Sequence, residues 1–325
     1  MKIETIKSSA GYTVAVRVLT PYKDITPQDF INLVSEFGTV VWKKDMATVE
    51  EYLDLQMRVG YHQAADIWCN DEQYPQIYRV SNYKLKDEHE AEGLFGHGEL
   101  DWHCNILFTP DSEEMVGLRA VEVPAGSKTI MANSIPYYST MTKKQKDFFD
   151  TLYINITNQI DETYEKKLAH YVLPTAELKD FDKKRASRSI QRALNYDQQY
   201  DQFPEPRFQK TNTLKMVSDH PLGIKGIYFP HLNMKNICDK DGNALDNHNT
   251  IYEHIRKEYI DSNQYHYEHE WEVGDICFME QLTGVHRRNN VWSENNLDPT
   301  EAKRELQRTS FWYKTQYRKH TGRCI

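Results

Sequence analysis

Three polar side chains have the types and the spacing of a metal site. His103 and Asn105 stand two positions apart, and His286 follows far downstream. A non-heme iron site of the facial type uses two imidazoles and one carboxylate on one side of the metal, and leaves the other positions open. The close pair would come from one strand end and the remote histidine from a neighbouring strand. With asparagine in the carboxylate position, the close pair alone is a weak signal.

Further polar residues follow the first histidine in a set order. Thr129 comes after a predicted turn, a W-x-x-G-D motif covers residues 271–275, and Arg304 and Arg308 follow His286. A guanidinium binds a carboxylate through two parallel hydrogen bonds, and a threonine hydroxyl can add a third. Residues four apart on a strand face the same side, so both arginines can point into one cavity.

This order of residues resembles the TauD/TfdA family, the taurine-dioxygenase-like iron(II)/2-oxoglutarate-dependent oxygenases. The resemblance extends to residues 31–42, to residues 220–230 and to the aromatic strand that contains Arg308. It implies a mostly β protein with flanking helices (α+β), built as a double-stranded β-helix, a jelly-roll, cupin-like barrel with iron at one mouth. It also implies Fe(II), 2-oxoglutarate as cosubstrate, and O2.

The resemblance assigns metal-binding and catalytic residues, cosubstrate-binding residues and a substrate-binding residue. In that order these are His103, Asn105 and His286; Thr129 and Arg304; and Arg308. Arg308 would reach the substrate or support the same 2-oxoglutarate carboxylate as Arg304. An arginine facing the cavity at the last position predicts an anionic group, such as a carboxylate, on the substrate. The connection from His286 to Arg304 is longer than the family usually has.

Position 105 departs from the family pattern, because it carries an amide where a carboxylate is expected. An amide oxygen can bind iron(II), but it is neutral, so the metal should be held less tightly. Three outcomes are open. Asn105 is a weak third ligand of a working oxygenase, or it leaves the position to water or an anion, as in halogenating members of the wider superfamily, or the site no longer performs oxygenation. Asp101 and Glu280 are the nearby carboxylates that could compensate, although neither occupies the family position.

The elements that must position these residues are strands, with helices between them. Thr26-Pro27 followed by apolar residues at helical spacing predicts a helix that ends at Gly38. Further helices are predicted over residues 49–57, 142–152 and 251–260, and strands over residues 12–18, 39–42, 76–80, 117–123, 128–132, 214–217, 226–229, 274–279 and 308–317. Residues 117–123 and 128–132 are predicted to pair with each other, and residues 83–98 to form a polar loop.

Composition excludes several classes of protein. The net charge of −8 and the pI near 5.9 argue against a nucleic-acid partner, which calls for a concentrated basic face. The charged start of the chain lacks the apolar core of a signal peptide, and no long apolar run predicts a membrane span, so the expected location is cytoplasmic. The five cysteines are far apart and form no C-x-x-C pair, which suits reduced thiols.

We expect one oxygenase-like domain over residues 1–325, with residues 160–212 as an insertion or lid within it. The histidines within residues 266–270 are interpreted as an exposed polar approach to the next strand and not as a second metal cluster, and Cys104 as an outward-facing small residue. The segment from Lys183 to Arg188 is interpreted as a solvated helix face.

The predicted function is hydroxylation of a C–H bond in a small polar, carboxylate-bearing metabolite, in an enzyme that needs iron and 2-oxoglutarate. Two alternatives stay open at this stage: a halogenase with a vacant third ligand site, and a non-catalytic binding protein on the same scaffold. The predicted partner is a small-molecule substrate, with no nucleic acid and no membrane. Association into a homo-oligomer stays open.

Overall fold

The computed structural model describes residues 1–62, 71, 73–82, 84–86, 89–92, 99–105, 114–157, 211–231, 234–298 and 301–317. In these ranges the strands are β1 (Ile3–Lys7), β2 (Thr13–Val18), β3 (Thr39–Trp42), β4 (Gly60–His62), β5 (Tyr78–Ser81), β6 (Lys84–Lys86), β7 (His89–Glu92), β8 (Leu100–His103), β9 (Met115–Glu122), β10 (Lys128–Asn133), β11 (Tyr153–Thr157), β12 (Thr211–Lys215), β13 (Met234–Cys238), β14 (His266–Glu270), β15 (Ile276–Glu280), β16 (Gly284–Arg288) and β17 (Glu305–Tyr313). The α-helices are α1 (Pro27–Phe37), α2 (Val49–Val59), α3 (Ser134–Thr140), α4 (Lys143–Phe149), α5 (His248–Ile255) and α6 (Val291–Glu294). The described chain is therefore mostly β, with some helices.

Two sheets carry the residues of interest. The larger has eight strands in the order β1-β2-β3-β15-β9-β17-β4, and β5 also pairs with β17. The smaller has four strands in the order β14-β10-β16-β8. All their pairings are antiparallel except β2 with β3. A three-stranded sheet, β12-β11-β13, and the pair β6-β7 complete the described strands.

The two main sheets pack face to face through apolar side chains. One buried cluster joins Met131 of β10 to Val116 of β9, Cys277 of β15 and Leu306 of β17. Cys277 Sγ lies 3.8 Å from Met131 Sδ, which marks direct contact across the layer. Burial of apolar side chains on both faces is the main favourable term that holds such sheets together.

Helices α1 and α2 begin where side chains can satisfy their first backbone N–H groups. Thr26 Oγ1 accepts a hydrogen bond from Asp29 N at 3.1 Å, and Gly38, with φ of 67°, ends α1. Thr48 and Glu51 form a reciprocal capping box at α2. The predicted helix over residues 27–37 and the strand after it are confirmed.

Glycine is required at position 117 because β9 passes very close to its neighbours. A Cβ atom there would lie 2.6 Å from the Phe278 ring, 2.6 Å from the Tyr52 hydroxyl and 2.7 Å from Thr309 Oγ1. Tyr52 Oη and Thr309 Oγ1 are hydrogen bonded at 3.0 Å. Helix α2 therefore sits directly on the centre of the large sheet.

Three of the predicted local structures were wrong. Strands β9 and β10 do not pair with each other: β9 lies between β15 and β17, and β10 between β14 and β16, because the turn at residues 124–127 carries the chain from one sheet to the other. The predicted loop over residues 83–98 contains β6 and β7, which pair with each other. Residues 226–229 make one isolated bridge and no strand.

Two further predictions need correction and one lies outside the described residues. Residues 266–270 form β14, with His269 buried, because β14 is paired along its length with β10. Cys104 is also buried, and its Sγ donates to Gly284 O at 3.4 Å. Most of the predicted insertion, residues 158–210, lies outside the described ranges. No helix in those ranges is long and apolar enough to span a membrane.

Candidate active site

His103 and His286 face each other across two neighbouring strands. His103 ends β8 and lies opposite His286 on β16 in the antiparallel register, and their ring centroids are 4.1 Å apart. Both side chains are buried. The sequence separates the two residues widely, and the four-stranded sheet brings them into contact.

Both imidazoles are neutral at neutral pH. Burial lowers the pKa of His103 to about 4, and the charges of Arg308 and Arg288 act in the same direction. Burial also lowers the pKa of His286 well below its ordinary value, with the charges of His103 and Arg308 adding to the effect. Neutral imidazole is the form that binds metal ions.

The orientation of each ring is set by its neighbours. Nδ1 of His103 lies 2.7 Å from Asp101 O, so it carries the hydrogen and leaves the lone pair on Nε2. Nε2 of His286 lies 3.4 Å from Nδ2 of Asn105, while its Nδ1 is buried and has no hydrogen-bond partner among the described residues. The contacts with Asp101 O and with Asn105 therefore fix how the two rings are turned.

Asn105 stands beside the pair, as the third position of the predicted ligand set. Its side chain is buried, and its backbone N–H donates to Gln281 Oε1 at 2.9 Å. Gln281 Nε2 in turn donates to Met279 O at 3.1 Å. The strand end that carries Asn105 is therefore held by the β15–β16 connection. Two imidazoles and one amide oxygen fit a divalent metal of the iron type, although without a charged ligand.

Glu280 and Asp101, the two carboxylates that could compensate for the neutral Asn105, make other contacts. Glu280 Oε1 lies 2.9 Å from His220 Nε2, and its Oε2 accepts bonds from the N and Oγ1 of Thr283. Asp101 Oδ1 accepts a bond from Trp102 N at 2.8 Å. In the part of the chain that the structure describes, no three His, Cys, Asp or Glu side chains gather where they could hold a metal ion.

Thr129 and Arg304 both lie near Arg288 of β16. Thr129 is on β10, opposite Arg288 of β16, and its Oγ1 accepts a hydrogen bond from Trp271 Nε1 at 2.8 Å. Arg304 lies just before β17, and its Nε donates to Ser127 Oγ at 3.0 Å. The guanidinium is 2% exposed. Burial lowers the pKa of Arg304, and the charge of Arg288 acts in the same direction.

Arg308 reaches the histidines from the opposite sheet. It is buried on β17, its Cζ lies 5.2 Å from the centre of the Tyr78 ring, and its charge lowers the pKa of both His103 and His286. Arg304 precedes the strand, whereas the sequence placed both arginines on it. The two sheets together therefore enclose the predicted site.

Sequence reasoning missed three contributors. Arg288 is buried, and its charge acts on both His103 and Arg304. The sequence could have indicated Arg288, because it follows His286 by two positions and alternate residues of a strand lie on the same side. Ser127 and Gln281 gave no signal, because their contacts depend on how the sheets pair.

The chain was compared with known proteins. The family model described as "Taurine catabolism dioxygenase TauD, TfdA family" matches residues 10–310. Pentalenolactone F synthase of Streptomyces arenae is 21% identical over 260 residues, covering 78% of this chain and 75% of that protein.

Two solved structures are similar to this one in fold. A putative alpha-ketoglutarate-dependent taurine dioxygenase from Burkholderia xenovorans has a TM-score of 0.64 at 14% identity, covering 96% of this chain and 93% of that one. AAD-2 in complex with Mn(II) and N-oxalylglycine has a TM-score of 0.62 at 15% identity, covering 97% of this chain and 98% of that one. The family match over most of the chain carries the conclusion: the chain belongs to the TauD/TfdA family, and it is a non-heme iron, 2-oxoglutarate-dependent dioxygenase.

Proposed function

We propose that this enzyme hydroxylates a C–H bond of a small polar metabolite that carries a carboxylate. In the overall reaction the substrate, 2-oxoglutarate and O2 give the hydroxylated product, succinate and CO2. Bound iron(II), with 2-oxoglutarate and O2, supplies the oxidation of an unactivated C–H bond. The observation that carries the proposal is the buried, neutral His103–His286 pair, with ring centroids 4.1 Å apart.

His103, Asn105 and His286 hold the metal in this proposal. Asp101 O fixes the tautomer of His103, and Nε2 is the nitrogen of His286 that lies next to Asn105. An amide turned over about its last bond exchanges Oδ1 and Nδ2, so the oxygen of Asn105 reaches the same place. The role of this chain is to keep the two imidazoles deprotonated and correctly oriented for the metal.

Thr129 and Arg304 bind the distal carboxylate of 2-oxoglutarate. Arg304 is 2% exposed, and a buried guanidinium needs a negative charge beside it. Among the described residues, the charge that acts on the pKa of Arg304 is that of Arg288, which is also positive. Because Nε is bonded to Ser127, the terminal nitrogens remain to face a carboxylate.

Arg308 binds the substrate carboxylate. The side chain is buried, it is held over the Tyr78 ring, and its charge acts on both histidines. A carboxylate bound there would lie close to His103 and His286, and so to the metal. This would place a neighbouring carbon of the substrate for oxidation. Binding by two parallel hydrogen bonds would also fix the orientation of the substrate.

The same proposal includes the double-stranded β-helix, in one domain. From β8 to β10 and again from β14 to β17, the chain alternates between the four-stranded and the eight-stranded sheet. Such alternation between two facing sheets is the path of a jelly roll. It supports the barrel and explains why ligands come from both sheets.

A second candidate function is halogenation at the same site. The neutral Asn105 and the committed Glu280 and Asp101 favour it, since an anion such as chloride would restore the missing negative charge. Products formed with and without chloride distinguish the two functions. A hydroxylated product that does not depend on chloride excludes halogenation.

The test of the main proposal is substrate-dependent succinate formation. Purified protein with iron(II), 2-oxoglutarate, ascorbate and O2 is incubated with a panel of carboxylic acids, amino acids and neutral metabolites. We expect succinate above background with a carboxylate-bearing member, together with a product 16 mass units heavier. Turnover only with neutral members would overturn the proposed substrate class.

A further inference from the structure

The hydroxyl hydrogen of Thr129 is left to be donated to a ligand. Trp271 Nε1 lies 2.8 Å from its oxygen, and an indole N–H is always a donor, so Thr129 accepts there. The side chain is 3% exposed. Among the described residues no acceptor receives the hydrogen of Thr129. A buried hydroxyl hydrogen without an acceptor is costly, so a ligand atom is expected to receive it.

Ser127 is in the same state two positions earlier. Its oxygen accepts a hydrogen bond from Arg304 Nε at 3.0 Å, and a guanidinium has no acceptor to offer in return. The side chain is fully buried, at 0% exposure. Within the described part of the chain its hydroxyl hydrogen also has no acceptor. Ser127 therefore offers a second hydroxyl hydrogen to a ligand, and its oxygen is hydrogen bonded to Arg304.

The backbone ties these residues into one unit. Trp271 N donates to Ser127 O at 2.8 Å, while the Trp271 indole holds Thr129. His269, which pairs with Thr129 across the strands, packs edge to face on Trp271 with centroids 4.4 Å apart, and it lies 3.2 Å from Asp275. The indole is thus held in place from behind.

We propose that Ser127 is a further carboxylate-binding residue, and that Trp271 is the positioning residue that directs the hydroxyl hydrogen of Thr129 toward the same carboxylate. The inference rests on the proposed function, because the carboxylate is the distal group of 2-oxoglutarate. Two hydroxyl hydrogens and the terminal nitrogens of Arg304 match an acceptor-only group. A neutral amide or alcohol in its place would offer fewer acceptor lone pairs and no negative charge to these donors.

The test compares two metal-chelating ligands on the Mn(II)-loaded full chain by isothermal titration calorimetry. N-oxalylglycine carries a distal carboxylate, and oxalate does not. For Ser127→Ala we expect the Kd of N-oxalylglycine to rise about tenfold, with that of oxalate changed less than twofold. For Trp271→Phe we expect the Kd of N-oxalylglycine to rise about threefold to tenfold and that of oxalate to stay the same, because Thr129 then loses its fixed orientation.

Matched controls separate this role from a general loss of structure. Ser134 is also fully buried, and its Oγ donates to Thr283 O at 2.7 Å, so Ser134→Ala removes a comparable hydroxyl elsewhere. Trp42 Nε1 donates to Thr20 O at 3.1 Å, so Trp42→Phe removes a comparable indole N–H. Neither control variant should raise the Kd of N-oxalylglycine or of oxalate.

Two results would overturn the inference. Unchanged binding of N-oxalylglycine to both site variants would show that neither residue acts on the carboxylate. Equal weakening of both ligands would assign Ser127 and Trp271 a merely structural role. Failure of the unaltered Mn(II) protein to bind either ligand would instead count against the proposed cosubstrate site as a whole.

Discussion

The side-chain amide of Asn105 lies against His286, with Nδ2 3.4 Å from Nε2. In the proposed site, this is the position of the third metal ligand, where the resemblance to the family implies a carboxylate. An acidic residue there would supply a negative charge to two neutral imidazoles, and this chain supplies none from its described residues. The charge of the centre is therefore set by what binds to it.

We expect Asn105→Asp to bind Mn(II) at least about tenfold more tightly than the unaltered protein, because a carboxylate replaces a neutral ligand. Calorimetric titration of the metal-free protein with Mn(II) measures the change. Asn236→Asp, on β13 in the three-stranded sheet, serves as the matched control and should not alter the affinity. An unchanged affinity for both variants would place residue 105 outside the ligand set.

Replacing Arg308 with Met should raise the apparent KM for the carboxylate substrate about 100-fold, because a buried charge pair is lost. The KM for 2-oxoglutarate should change less than about threefold, since Arg304 is kept. Steady-state succinate formation gives both constants. Arg17→Met, at an exposed arginine on β2, is the control. Unchanged substrate affinity in Arg308→Met would remove the basis for a carboxylate substrate.

Glu280→Gln should leave the Mn(II) affinity unchanged but lower the free energy of unfolding by about 1–3 kcal/mol. The carboxylate lies 2.9 Å from His220 and accepts two bonds from Thr283. The glutamine amide has the same shape but only one acceptor oxygen, so it cannot replace both contacts. Urea unfolding and Mn(II) titration test the two halves of this prediction. A large loss of metal affinity would make Glu280 a ligand after all.

Gly117→Ala should destabilise the fold by about 1–3 kcal/mol or more. The new methyl group would lie 2.6 Å from both the Phe278 ring and the Tyr52 hydroxyl, so that α2 or β15 must move. Thermal unfolding followed by circular dichroism gives the shift. A melting temperature equal to that of the unaltered protein would show that the contact between α2 and the sheet is loose.

Stability should fall as the pH is lowered through the range set by His62 and His266. Burial lowers the pKa of each from 6.5 to about 4. The charge of Lys314 adds to the effect at His62, and that of Arg287 at His266. The unfolded chain therefore takes up protons before the folded chain does. Stability from these groups is complete above pH 6.5 and is lost toward pH 4, at up to about 1.4 kcal/mol per pH unit for each group.

Urea unfolding at a series of pH values measures this slope. The variants His62→Gln and His266→Gln remove one titrating group each, so each should flatten the pH dependence between 6.5 and 4. A slope that neither replacement changes would mean that other groups carry the acid sensitivity.

Local signals in the sequence predicted local structure well. The caps at Thr26 and Thr48 fix the starts of α1 and α2, and those helices lie where the sequence placed them. The pairing of β9 and β10 was predicted wrongly, because adjacent strands joined by a short turn usually form a hairpin. Nothing near residues 117–132 reveals that their true partners lie beyond residue 265.

The candidate site shows the same division. The residues taken from the resemblance, His103, His286, Thr129 and Arg308, all reach one region between the sheets. The supporting contact of Ser127 could not be foreseen, because it depends on where Arg304 lies after folding. Spacing along the chain indicates candidate ligands, whereas the hydrogen bonds that orient them follow from tertiary register.

Strand β17 has a consequence for the synthesis of this protein. It lies inside the eight-stranded sheet, where it pairs with β9, β4 and β5, all formed from residues 60–122. A ribosome must therefore translate past residue 313 before the middle of that sheet can close. Until then β9 exposes an unpaired edge, which is a site where nascent chains can aggregate.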